Sequence, residues 1–141
     1  METTTDTTTS PAATVGAVYA AFGRGDMPGL MGLLHPSVDW SIDVDAPGGD
    51  RVPMFRHGIG HEAVVRYFEG IAQLEMHSFD LGRLFVDGDA VVAEIHVDVT
   101  HRTSGRRAAL DELHHWVVRD RQVVRYRPFL DTAAMIELFG P

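Results

Sequence analysis

Glu112, His114 and Trp116 recur at every second position in the stretch Arg107–Arg119. In an extended chain side chains alternate between two faces, so Leu110, Glu112, His114, Trp116 and Val118 share one. The next stretch, Gln122–Leu130, offers Val124, Tyr126 and Pro128 as its same-side set. A carboxylate, an imidazole, an indole and a phenol then meet on one sheet face. If that face is the inner one, Glu112 and His114 sit in an apolar cup, where ionisable groups persist when they are paired or used. An imidazole titrates near neutral pH, which suits His114 to general acid/base work. The plainer alternative is a core histidine satisfied by Glu112, Tyr126 or the backbone. Glu112 either orients His114, acts as a base itself, or stands partly exposed at the mouth. Two residues on one strand face lie about 7 Å apart, a spacing that predicts shared contact with a ligand rather than a direct bond. His115 points the other way, so the adjacent pair does not clamp one metal ion.

Tyr19 and Tyr126 are candidate hydrogen-bond donors to a carbonyl or oxyanion, with plain core packing the alternative for Tyr19. Trp40 and Trp116 are expected to line the wall, stacking on a flat ligand or filling the cup. His57 and His61 flank Gly58-Ile59-Gly60 and are placed at the rim; the glycines fix no geometry, and no metal site is assigned. His96 and His101 fall on opposite faces. Asp39, Asp43, Glu94 and Asp98 read as solvent or dimer-face charges, and Asp131 as a helix cap. The expected site is therefore His114, Glu112 and Tyr126 as catalytic groups, with Tyr19, Trp40, Trp116 and His57 around the ligand.

The elements that must position these groups are legible in outline. Met1–Thr9 is threonine-rich and predicts a disordered tail, leaving residues 10–141 as one domain. Ser10-Pro11 reads as a helix start, and Val15, Val18, Tyr19 and Phe22 form its apolar face. Asp26 caps a short second helix carrying Leu30–Leu34. Val38–Val44 alternates as a half-buried strand, with Val38, Trp40, Ile42 and Val44 on one side. Asp45–His57, with Pro47, Gly48, Gly49 and Pro53, is a loop long enough to act as a lid or rim over a site. Gly60–Leu74 predicts a third helix with Val64, Phe68, Ile71 and Leu74 inward. Four strands follow: Met76–Val86, Ala90–Arg102, Arg107–Arg119 and Gln122–Leu130, with turns at Asp87-Gly88 and Asp120. Thr132–Phe139 forms a last helix. Helices segregated from a mostly antiparallel, curved sheet mean an α+β cone with one pocket.

Composition narrows the chemistry. The chain has 141 residues, 45% of them hydrophobic, and a formal charge of -8. An acidic chain without a basic stripe is a poor nucleic-acid partner, and Arg102, Arg106 and Arg107 read as a solvated hairpin tip. There is no cysteine, which removes thiol nucleophiles and cysteine-ligated metal sites. All 12 basic residues are arginine, so no lysine is available for a Schiff base. No apolar run approaches the roughly 20 residues of a membrane span, and the N-terminus lacks a signal-peptide pattern. The expectation is a cytoplasmic protein without a membrane partner.

Several motifs carry a resemblance. They are Ala20-Ala21-Phe22-Gly23-Arg24-Gly25-Asp26, Leu33-Leu34-His35-Pro36 before Val38-Asp39-Trp40, the glycine-led run Gly58–Phe68, Phe85-Val86-Asp87-Gly88-Asp89, and Val123-Val124-Arg125-Tyr126 through Phe129-Leu130-Asp131-Thr132-Ala133. With them the chain resembles the nuclear transport factor 2-like superfamily, in its SnoaL-like and ketosteroid isomerase-like branch, from about Ser10 onward. The resemblance implies a cofactor-free pocket for a small, largely apolar, often cyclic molecule, and a homodimer formed through the sheet. It also implies isomerase, cyclase, dehydratase or hydrolase chemistry, or binding without catalysis. The ketosteroid isomerase roles fall on Val18, with Tyr19 adjacent, on Ile42, and on His114. The SnoaL aspartate position falls on Pro128.

Overall fold

The computed structural model describes residues 10–140; the tail expected over Met1–Thr9 lies outside them. Helix α1 spans Pro11–Gly23, α2 Met27–Gly32, α3 His61–Ile71 and α4 Thr132–Phe139. Strands are β1 Leu34–Trp40, β2 Gly58–Ile59, β3 Leu74–Asp87, β4 Ala90–His101, β5 Arg107–Arg119 and β6 Gln122–Phe129. They form one curled, open sheet in the order β2-β1-β6-β5-β4-β3, antiparallel except where β1 runs parallel to β6. This is the expected α+β cone, with α1 and α3 packed in its concavity.

Local chemistry sets the helix starts. Ser10 accepts from the Ala13 N–H, Asp26 from Gly29 and Asp131 from Ala134, each filling an orphan donor of a first turn. On the sheet, Val91, Ala93, Ile95, Val97 and Val99 of β4 are all buried, as alternation predicts. Strand β5 pairs with β4 from Arg107 to Val117 without a register shift. The parity of Arg107–Arg119 therefore holds, and His114, not His115, faces inward.

Four expectations need correction. The first strand is Leu34–Trp40, not Val38–Val44. It stops because Ser41 turns into the left-handed region (φ 68), gives its N–H to the Tyr126 carbonyl and its hydroxyl to the Met54 carbonyl at 2.6 Å. Pro36 is tolerated because it lies where the β1–β6 register breaks, between Leu34 and Asp39. Leu33 and Leu34 accordingly leave the second helix, and Leu74 leaves the third to open β3. On β6 the inward set is Val123, Tyr126 and Pro128; Val124 is the extra residue of a bulge opposite Val117 and Val118.

The segment from Ser41 to His57 folds over the open end of the cone, with a single 3-10 turn at Gly49–Arg51. Val52, Met54 and Phe55 plug inward and are buried. It lies tight on α3, where a Cβ at Gly70 would run into the Met54 sulfur and Pro53.

Candidate functional site

Strand β5 contributes Glu112, His114 and Trp116 to the concave face, β6 contributes Tyr126 and Pro128, β1 contributes Trp40, and α1 contributes Val18 and Tyr19. These line an apolar cavity of about 70 Å³, roofed by Met54 and Phe55 of the covering segment. Glu112 and Leu130 also border a surface depression with Asp80, His96 and Asp111, so Glu112 stands at the cavity's edge.

A chain of hydrogen bonds crosses this apolar wall. The Trp116 Nε1–H donates to the Tyr19 hydroxyl at 3.0 Å. The Tyr19 oxygen lies 2.6 Å from His114 Nδ1, and His114 Nε2 lies 2.8 Å from Glu112 Oε1. Donor chemistry orders the protons. A carboxylate only accepts, so Glu112 takes the hydrogen on Nε2 and the Nδ1 of the neutral imidazole is left to accept; Tyr19, which accepts from the Trp116 indole, gives its own proton to Nδ1. His114 and Glu112 side chains are 6% and 10% exposed, so both are withdrawn from water and paired. Burial pushes the Tyr19 phenol well above its ordinary pKa, so it stays protonated.

The direct Glu112–His114 bond corrects the expected separation. About 7 Å divides the two backbones, but the glutamate side chain is long enough to lie back along the strand and close that gap. Tyr19, adjacent to the position the resemblance favours, delivers the hydroxyl.

Deeper in the cup the Trp40 and Tyr126 rings meet at a tilt (centroids 4.3 Å apart), as do those of Tyr126 and Trp116 (4.5 Å). The Tyr126 hydroxyl meets that of Tyr67 at 2.6 Å rather than His114. Tyr67 lines the cavity and was absent from the expected site. Its signal was available: Val64, Tyr67, Phe68 and Ile71 fall at i, i+3, i+4 and i+7 on α3.

His57 is not among the cavity-lining residues. It bonds Asp39, which alternates with the inward Trp40 and so lies on the opposite face. Arg127 grips the same carboxylate through Nη1 at 2.7 Å and Nη2 at 3.4 Å. Its hydrogen bond, assisted by that of His57 and opposed by burial, holds Asp39 below the usual carboxylate range. The cluster ties the covering segment to the sheet. His61 turns instead to the Leu34 carbonyl. Among the described residues no group of three or more histidine or acidic side chains is placed to hold a metal ion.

Comparison with known proteins agrees with this architecture. The SnoaL-like domain family matches residues 15–126. A search of curated proteins finds no match. Among solved structures, an NTF2-like protein of unknown function from Burkholderia pseudomallei is 28% identical, with TM-score 0.80 over 93% of this chain and 98% of that one. TerC, co-crystallized with polyporic acid, is 27% identical, with TM-score 0.77 over 94% of this chain and 100% of its own. An NTF2-like protein from Burkholderia thailandensis, 24% identical with TM-score 0.77 over 94% and 98%, shares the fold. With the motifs, the cone and the family match in agreement, the chain belongs to the SnoaL-like domain family of the NTF2-like superfamily.

Proposed function

We propose that this protein takes a small, flat, largely apolar molecule into the cup and moves a proton on it without a cofactor, in isomerase, cyclase, dehydratase or hydrolase fashion. The observation that carries this reading is the buried relay Glu112–His114–Tyr19–Trp116 on an otherwise apolar wall. His114 is the acid/base, Glu112 its orienting partner and proton acceptor, and Tyr19 the hydroxyl that passes the proton between ligand and His114. When Tyr19 takes a proton from the ligand and passes its own to His114 Nδ1, Nε2 gives its proton to Glu112, so one tautomer shift of His114 moves a proton from ligand to Glu112 at the cavity edge and leaves Tyr19 neutral. Trp40, Trp116 and Tyr126 supply stacking surface. TerC, crystallized with polyporic acid, supports a ring compound as the ligand.

A second reading is binding without catalysis in the same cup, and on either reading the ligand must make room. About 70 Å³ is small beside the roughly 150 Å³ of an engineered apolar cavity that takes benzene. A ligand therefore enters by repacking Met54, Met76 and Met135, whose unbranched side chains adapt readily. Calorimetric titration of polyporic acid and bicyclic ketones into wild type and His114→Ala, with turnover followed against pH, separates the readings. The acid/base reading expects saturable binding and a pH–rate profile that loses its neutral limb in His114→Ala. Binding unchanged by that substitution, with no turnover at any pH, would favour the binding module. No binding of any compound would sink both.

In the same proposal a second copy covers the outer sheet face, where Leu113 and Phe129 pair across β5 and β6 and are each about half exposed. Sedimentation equilibrium should give a dimer for wild type and a monomer for Phe129→Arg. A monomeric wild type would refute it.

A further inference from the structure

The lining of the cavity is unequally buried. Trp40, Trp116 and Tyr126 are fully withdrawn from solvent, as are Met54 and Phe55 of the covering segment. Tyr19 and Phe22 of α1 and Met76 and Phe79 of β3 line the same space yet are only partly buried. These four also line a surface groove along the seam between α1 and β3. A single layer of rings and one thioether therefore divides the cavity from solvent there. Phe79 closes that layer, its ring centroid 5.1 Å from that of Phe22 and 5.9 Å from that of Tyr19. Outside it, Gly16, Ala20 and Gly23 leave the groove clear: a methyl group at either glycine would meet nothing within 4 Å.

The seam is weakly fastened. Among the described residues no hydrogen bond joins α1 to β3, and the two meet through side-chain packing. Strand β3 is a free edge of the sheet, and its register with β4 breaks on both sides of Phe79, between Met76 and Ser78 and between Leu81 and Leu84. A strand paired on one side and bulged twice yields more easily than one held on both sides. The covering segment is held by hydrogen bonds from Ser41 to the Met54 carbonyl, from Val44 to the Phe55 carbonyl and between His57 and Asp39. Charge separates the two boundaries as well. No charged side chain lines the groove. The depression beside the covering segment carries Asp43, Asp45, Asp50 and Arg56, and shares only Phe55 with the cavity.

We propose that the α1–β3 seam is the entrance to the cavity, with Phe79 as its gate and the covering segment as a fixed wall. An apolar solute collects in the groove, displaces the Phe79 ring and the flexible Met76 side chain, and arrives beside Tyr19. The seam's role as a ligand entrance rests on the cavity being a ligand site, as proposed above; its role as the way into the cavity does not. Phe79 thereby governs the rates of exchange.

The free protein tests the route without a ligand. Trp40 and Trp116 are the two tryptophans of the chain and both line the cavity, so the rate constant for acrylamide quenching of their fluorescence measures entry of a small neutral solute. Ala20→Phe places a ring in the groove and should lower that constant about tenfold, the change that ~1.4 kcal/mol on the barrier gives. Phe79→Ala should raise it by a similar factor. Circular dichroism melting checks the fold of each variant, and Ala20 is exposed, so its variant decides the matter if Phe79→Ala does not fold. Stopped-flow binding of 1-tetralone should show association and dissociation slowed by one factor in Ala20→Phe with Kd unchanged, because a gate alters the barrier and not the end states. Unchanged quenching in the folded variants would overturn the inference and leave the proposed function standing. A tetralone Kd that shifts in Ala20→Phe at constant association rate would also overturn it, making the groove a binding surface. Quenching in the expected order without tetralone binding would support the seam as the route and count against the proposed ligand reading.

Discussion

A tyrosine hydroxyl can accept one hydrogen bond and donate one, and Tyr19 does both between Trp116 and His114. Tyr19→Phe leaves an indole N–H and an imidazole nitrogen unmet in an apolar site. It should lower stability by about 1–3 kcal/mol in urea unfolding. A double-mutant cycle with His114→Ala should show coupling, because the two residues share that bond. His57→Ala should behave differently. It should reduce stability by no more than ~1 kcal/mol, since its partner Asp39 keeps Arg127 and is about one-third exposed. It should leave ligand affinity unchanged by calorimetry. These contrasts mark what was readable residue by residue. Glu112, His114 and Trp116 were legible because period-two alternation survives intact along an unbroken register. The Glu112–His114 bond was not, because backbone spacing says nothing of where a long side chain lies. His57 was misplaced because its position depends on how the covering segment folds back, and no local pattern encodes that.

The elements were legible wherever a cap or a strict period marked them: β5 and α4 have the bounds that the sequence implies. They were illegible where the backbone changes hand. Val38, Trp40, Ile42 and Val44 alternate past Ser41, yet that residue's left-handed conformation ends the strand and sends the chain over the cup. Ser41→Val would place a β-branched side chain at positive φ in a fully buried position and lose the hydroxyl bond to Met54. A loss of about 2 kcal/mol or more in denaturant unfolding is the expected outcome. Substitution of Gly70 by leucine should instead lift the covering segment from α3, seen as faster amide exchange at Met54 and Phe55 than at β4. The bulge at Val124 is the second such place. Uninterrupted alternation would group Val124 with Tyr126, whereas the extra residue lets Val123 and Tyr126 both face inward.

For the molecule as a whole, the three tyrosines of the chain all line the one cavity, and burial raises the pKa of each above the ordinary value of 10.0. A pKa raised on folding gives stability that is complete below the unfolded value and lost as pH climbs beyond it. Stability should therefore decline above about pH 10, and tyrosinate absorbance should stay low until the fold gives way, then rise in one step. A gradual rise in the native protein near pH 10 would contradict the burial described. No helix among the described residues is long and apolar enough to cross a membrane.

The parallel pairing of β1 with β6 has a consequence for how the chain is made. Strands β3 to β6 join as neighbouring hairpins, but Trp40 must find Tyr126 across most of the sequence. During synthesis Tyr19 and Trp40 leave the ribosome well before His114, Trp116 and Tyr126, which they face in the cup. Until β6 has emerged, the inward side of β1 lacks its parallel partner, while α1 has Phe79 of β3 and then His114 and Trp116 of β5 to pack against. Long-range pairing of this kind forms late, after the local hairpins. The nascent chain thus carries its future cavity as two separated halves, and the cup is completed only once β6 has emerged.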